Sequence, residues 1–234
     1  MAREPILRLT MPPGPVQAVA LVVHGGRVRG TRPVPPWSLA ALRMIPFARQ
    51  LTRRGAGDGL AVARLRHVVA GWNGSTQSPV ADARWALARL SERFPGVPIG
   101  LVGHSMGGRT AMYVADDPAV RAVVGLAPWV ETEDRVEPLA GRQVLIVHGD
   151  HDRTTSPASS AAFAERARDA AAHVSFVSVR GDGHAMLRRA ALWQDLAAGF
   201  ITGVLLGVDF DGTDRASAAN AVRQALSGQP SLEV

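Results

Sequence analysis

The pentapeptide Gly103-His104-Ser105-Met106-Gly107 sits between an apolar run at 97–102 and a helix-like stretch at 106–115. That order is strand, sharp turn, helix, and it leaves few folds open. A serine at such a turn is thrown out beyond the end of a sheet, where its hydroxyl can act as a nucleophile. The backbone there is strained and tightly packed, so side chains at 103 and 107 would clash and glycine is required. The pentapeptide alone is weak evidence; its setting and the residues downstream give it weight.

The rest of the chain repeats the alternation. Apolar strand-like runs fall at 16–24, 60–69, 99–102, 120–126, 144–148 and 174–179, with a possible edge strand at 6–10. Amphipathic helical runs fall at 38–54 (broken or kinked at Pro46), 80–94, 106–115, 156–172 and 185–206. In 80–94, Trp85, Leu87 and Leu90 are expected to face inward. Alternation of this kind predicts an α/β fold: a doubly wound, mostly parallel sheet with helices on both faces. One domain is expected over 1–208, followed by a polar tail, 209–234, with one short helix near 217–226. The last long helical run is interrupted by Gln194, Asp195 and Thr202, so it reads as packed on the sheet and not as a membrane span.

Composition narrows the chemistry. With no cysteine among 234 residues, disulfides, thiolate metal sites and a cysteine nucleophile are excluded. The start, 1–10, lacks an apolar core of signal-peptide length, so a soluble cytoplasmic protein is expected. All 26 basic residues are arginine and the net charge is +6. They are scattered and form no run of five, which predicts a solvated basic surface and no nucleic-acid partner.

A serine hydroxyl needs a base to take its proton, and the base needs a third group to hold its tautomer. Two later segments offer these groups. His148-Gly149-Asp150-His151-Asp152-Arg153 follows one strand-like run, and Gly181-Asp182-Gly183-His184 follows the next. Both lie past the C-terminal ends of strands, where open α/β sheets place their sites. The order Ser, Asp, His and these motifs resemble the α/β-hydrolase fold serine hydrolases, in particular small esterases and monoacylglycerol-lipase-like members, over roughly residues 16–206. The resemblance implies Ser105 as nucleophile, Asp152 as acid and His184 as base, with Asp150 the competing acid. It also implies an oxyanion hole from the backbone N–H groups of Met106 and of Gly26, in the loop His24-Gly25-Gly26-Arg27.

The other histidines read as structural, with His24 and His148 bracing loops. No metal-ligand spacing is present, so neither metal nor cofactor is expected. The interval from Ala127 to Gln143 is too short for a cap domain, which implies an open mouth. Trp72, Trp129, Met186 and Arg27 are the candidate substrate-binding residues. Arg27, Arg29 and Arg32 read as solvated rim residues, with recognition of an anionic or phosphate-bearing substrate as the alternative. The expected reaction is hydrolysis of small carboxylic esters of short to medium acyl chain. Thioester hydrolysis or acyl transfer on the same triad, and a non-catalytic binding protein, are the alternatives. Stable membrane insertion is not expected, and the oligomeric state is left open.

Overall fold

The first strand, β1 (Ile6–Thr10), alternates between exposed and half-buried residues, whereas all six residues of β2 (Ala18–Val23) are buried. That contrast separates a sheet edge from a sheet centre. The remaining strands are β3 (Leu60–Arg66), β4 (Ile99–His104), β5 (Val120–Leu126), β6 (Gln143–Gly149), β7 (His173–Val179) and β8 (Ser231–Glu233). They form one eight-stranded sheet in the order β1-β3-β2-β4-β5-β6-β7-β8. Only β1 runs antiparallel, pairing with β3. The structure is a computed structural model and describes residues 3–209 and 216–234.

Helices cover both faces. On one, Ala18, Ala20 and Val22 of β2 pack with Phe47 and Leu51 of α2 (Ile45–Gly55) and with Leu196, Phe200 and Ile201 of α6 (Ala190–Leu206). On the other, Val19, Leu21 and Val23 pack with Leu87 and Leu90 of α3 (Ser78–Arg93), Met112 of α4 (Met106–Tyr113) and Phe163 of α5 (Pro157–Ala167). The period-2 alternation of one buried strand thus feeds two cores. Trp85, expected to face inward, is half-buried against the second of them.

Two expectations are refined. The run 38–54 breaks at Met44 into α1 (Leu39–Arg43) and α2, and Pro46 falls in the first turn of α2, where its missing N–H goes unneeded. The last long helix begins at Ala190 and not at 185. Met186 takes a left-handed conformation (φ 57°) and the segment 185–189 forms turns, because the chain must double back after His184.

The polar stretch after 209 does more than trail. Helix α7 (Ala216–Leu226) buries Ala218, Ala221, Val222 and Ala225 in the core with α6, and β8 adds a strand beside β7. A Cβ on Gly203 of α6 would come within 2.6 Å of Leu226, so glycine permits this close crossing. Small alanines carried the apolar face of α7 and only Leu232 is buried in β8, so the sequence signal for this packing was weak.

Between β5 and β6 the chain makes one short 3-10 turn, Glu137–Leu139, and no cap domain. Among the described residues no helix is long and apolar enough to cross a membrane.

Candidate active site

Ser105 follows the last residue of β4 with φ 56° and ψ −120°, a conformation that is costly for a residue with a Cβ. The neighbouring glycines make it possible. A Cβ on Gly103 would sit 2.1 Å from the Gly107 carbonyl oxygen, and one on Gly107 would sit 2.5 Å from the Val23 carbonyl oxygen. The turn delivers Ser105 to the top of the sheet beside the loops that follow β2, β6 and β7.

The Ser105 Oγ lies 3.1 Å from His184 Nε2, and His184 Nδ1 lies 2.8 Å from Asp152 Oδ2. The three residues come from segments 79 and 32 positions apart, brought together past the ends of the parallel strands β4, β6 and β7. Asp150 is exposed. Its Oδ1 accepts from the Gly181 N–H at 2.7 Å and ties the two loops together.

Asp152 is held from several sides. Its Oδ1 accepts from the N–H groups of Thr154 and Thr155, at 2.7 and 3.0 Å. Its Oδ2 accepts from Thr155 Oγ1 at 2.9 Å and lies 3.1 Å from His148 Nε2. His148 is fully buried, and its other nitrogen lies 2.8 Å from Ser160 Oγ. Facing a carboxylate, Nε2 carries the proton, so Nδ1 accepts from the serine hydroxyl. Burial alone would raise the Asp152 carboxyl. Hydrogen bonds from His148, then His184, then the N–H groups of Thr154 and Thr155 outweigh it and hold the carboxyl well below the usual range.

The loop after β2 is equally built. His24 is buried and lies 2.6 Å from the Gly25 carbonyl oxygen through Nδ1, while its Nε2 accepts from the His67 N–H. His67 in turn contacts Asp82 at 3.1 Å. This chain of polar contacts sets the path of Gly25 and Gly26. A Cβ on Gly26 would lie 2.4 Å from Met106 Cε and 2.5 Å from the Ala70 carbonyl oxygen. Among the described residues the Gly26 N–H has no acceptor. Met106 is the first residue of α4, so its N–H has no intrahelical acceptor.

The half-buried His184 rests on the buried His104. The His104 Nε2 lies 3.0 Å from the His184 carbonyl oxygen, and the two rings are 4.8 Å apart. Asp182 shapes the same loop: its Oδ2 accepts from Trp193 Nε1 and from the Arg189 N–H, each at 3.0 Å. Sequence reasoning missed Thr155, Ser160 and Asp182. Asp182 alone carried a signal, an acid two residues before the histidine.

Of the expected substrate-binding residues, Arg27 is exposed on the loop after β2. Trp72 is 4% exposed and Met186 2% exposed, so both are core residues. Trp72 and the half-buried Trp129 clasp the Arg109 guanidinium, each with its ring centroid 4.4 Å away. Arg109 also pairs with Asp134 and Glu131. The two indoles therefore anchor the helix behind Ser105, an arrangement of positions 72, 109 and 129 that no local pattern signals. Among the described residues no group of three or more histidine or acidic side chains is disposed to hold a metal ion.

The buried histidines have a consequence for stability. His24 is pushed down to about 3 by burial first and then by His67, against a hydrogen bond to Gly25. His104 is pushed down to about 3 by burial first and then by His184, against its hydrogen bond to the His184 carbonyl. Between roughly pH 6.5 and 3 the unfolded chain takes up protons at these positions that the folded chain refuses, so stability falls as the pH drops. From pH 7 to pH 5 the loss should be roughly 2 kcal/mol per histidine. Asp152 adds stability that is present above about pH 4 and lost below it. Urea melts at pH 7 and pH 5 test this, and His104→Gln should shrink the difference between them; a midpoint that does not move from pH 7 to pH 5 would contradict it.

Residues 69–144, about a third of the chain, match a family model described as serine aminopeptidase, S33. No curated protein sequence matches. Among solved structures, the chain resembles an alpha-beta serine hydrolase homologue from Coxiella burnetii at 22% identity and TM-score 0.62, over 83% of this chain and 90% of that one. It also resembles an a/b serine hydrolase without lid from Xanthomonas campestris at 18% identity and TM-score 0.61, over 82% and 86% of the two chains. A thermostable carboxyl esterase from Bacillus coagulans matches at 12% identity and TM-score 0.65, over 86% and 94%. Strand order, the strained turn after β4 and these likenesses together place the chain among the proteins of the α/β-hydrolase fold.

Proposed function

We propose that the protein is a serine hydrolase that cleaves carboxylic esters through an acyl-Ser105 intermediate. The observation that carries this reading is the unbroken line of contacts from Ser105 Oγ through the His184 ring to Asp152, at 3.1 and 2.8 Å.

In the proposed reaction His184 Nε2 takes the hydroxyl proton as Ser105 Oγ attacks the ester carbonyl. Asp152 stabilises the imidazolium that forms and keeps Nδ1 protonated. Negative charge builds on the carbonyl oxygen, where the N–H groups of Gly26 and Met106 meet it, aided by the N-terminal dipole of α4. Collapse expels the alcohol, which takes the proton from His184 Nε2. Water then attacks the acyl-enzyme with the same histidine as base, releasing the acid and restoring the serine. No metal or cofactor enters this scheme.

Treatment with a fluorophosphonate probe followed by intact-protein mass spectrometry tests the reading. One adduct per chain at Ser105 is expected. An unlabelled, properly folded protein would overturn it.

Acyl-chain preference follows from the lining. With Trp72 and Met186 in the core, only Trp129 among the expected apolar residues is left to line a pocket, and no cap covers it. Each buried methylene is worth up to about 0.8 kcal/mol, about fourfold in kcat/KM. That gain should end within a few carbons. Across p-nitrophenyl esters from acetate to palmitate, kcat/KM should rise, flatten and fall. A steady climb through palmitate would reveal a deep acyl tunnel.

A further inference from the structure

Beside Gly25 and Gly26 lies a groove of about 770 Å³, walled by the loop after β2 and by Leu39 of α1. Arg27, Arg29 and Arg32 line it, and no acidic residue does. Two other exposed arginines do pair with carboxylates, Arg84 with Asp116 and Arg180 with Glu233. Among the described residues, these three make no ion pair and donate no side-chain hydrogen bond.

The loop that carries them is a built arch. The Arg27 N–H donates to the Ala70 carbonyl at 2.8 Å, and the Trp72 N–H donates back to the Arg27 carbonyl at 2.9 Å. The Ala70 N–H reaches the Arg32 carbonyl, and the Asn73 N–H the Val28 carbonyl, at 3.1 and 3.0 Å. Asn73 Oδ1 accepts from the Gly30 N–H at 2.9 Å. A Cβ on Gly71 would lie 2.2 Å from Gly30 N, so the two strands of the arch touch backbone to backbone. Three guanidinium groups thus project from an ordered frame into a groove that begins at the expected oxyanion loop. The same arch positions Gly26, so charge recognition and carbonyl recognition share one scaffold.

We infer that the preferred ester carries an anionic group, a carboxylate or a phosphate, which Arg27, Arg29 and Arg32 bind while the carbonyl sits over Ser105. This specificity rests on the ester-hydrolase reading above. Guanidinium groups suit both oxyanions because they offer paired donors in a planar fork. The basic surface and the net charge of +6 would draw such a substrate toward the mouth of the site.

The test compares p-nitrophenyl hydrogen adipate with p-nitrophenyl hexanoate, two acyl chains of equal length that differ by one charge. At low ionic strength kcat/KM for the adipate ester should exceed that for hexanoate by about tenfold, mostly through KM, and the ratio should shrink in high salt. In Arg29→Gln/Arg32→Gln the ratio should fall toward one, and Arg29→Lys/Arg32→Lys should retain part of it. Inorganic phosphate and free adipate, each tested as a competitive inhibitor of the adipate ester, tell which oxyanion fits better; inhibition by neither would overturn the inference. So would a wild-type ratio at or below one, or a ratio unchanged in the double glutamine variant. Each of these results leaves the hexanoate activity, and with it the hydrolase reading, standing. Absence of hydrolysis of both esters would instead sink the hydrolase reading itself.

Discussion

Ser105→Ala should abolish ester hydrolysis and fluorophosphonate labelling, with a loss in kcat on the order of 10⁶. The substitution removes the hydroxyl that lies 3.1 Å from His184 Nε2 and leaves the base with nothing to activate. Alanine keeps the Cβ and with it the positive-φ strain, so the fold should be unaffected. Stability should change by no more than about 1 kcal/mol, since one buried hydrogen bond is lost and no cavity of methyl size opens. Paired mass spectra of probe-treated wild type and variant, with urea melts of both, give the answer. Undiminished labelling of the variant would mean that another nucleophile is at work.

Asp152→Asn should lower kcat by on the order of 10⁴, because an amide presents the wrong partner to His184 Nδ1 and favours the wrong tautomer. The effect is large here for a second reason. Asp152 also receives hydrogen bonds from His148, Thr155 Oγ1 and two backbone N–H groups, so an amide nitrogen in place of either oxygen faces groups that donate to the carboxylate. Asp150→Asn should cost less than about tenfold, since its Oδ1 accepts one bond from Gly181 and an amide oxygen serves as well. Steady-state kinetics of the two variants on one p-nitrophenyl ester decide the matter. A larger penalty at 150 than at 152 would move the acid to the other aspartate.

The difference between those two aspartates shows where sequence reading stops. Both lie in one loop after β6, two residues apart, with the same composition around them. The motif resemblance favours Asp152, but composition and spacing alone do not separate it from Asp150. What separates them is the loop after β7, which lies across the loop after β6 so that Gly181 reaches Asp150 and His184 reaches Asp152. The tryptophans make the same point. Aromatic residues in loops near a mouth read as pocket walls, yet Trp72 and Trp129 close around Arg109, which the sequence offers only as one more residue of an elbow helix.

Sequence by itself determined the strands β1 to β7, the mostly parallel character of their sheet, the turn at Ser105 and the order of Ser105, Asp152 and His184 along the chain. These depend on period-2 and helical apolar patterning and on glycines at a strained turn, all of them interactions within a few residues. Tertiary structure alone decided the rest. It added β8, started α6 five residues late so that the chain could turn after His184, buried Met186, and set the His184 ring between Ser105 and Asp152. Each of these depends on contacts between segments tens of residues apart. Strand order and loop crossing create such contacts, and no local periodicity encodes them.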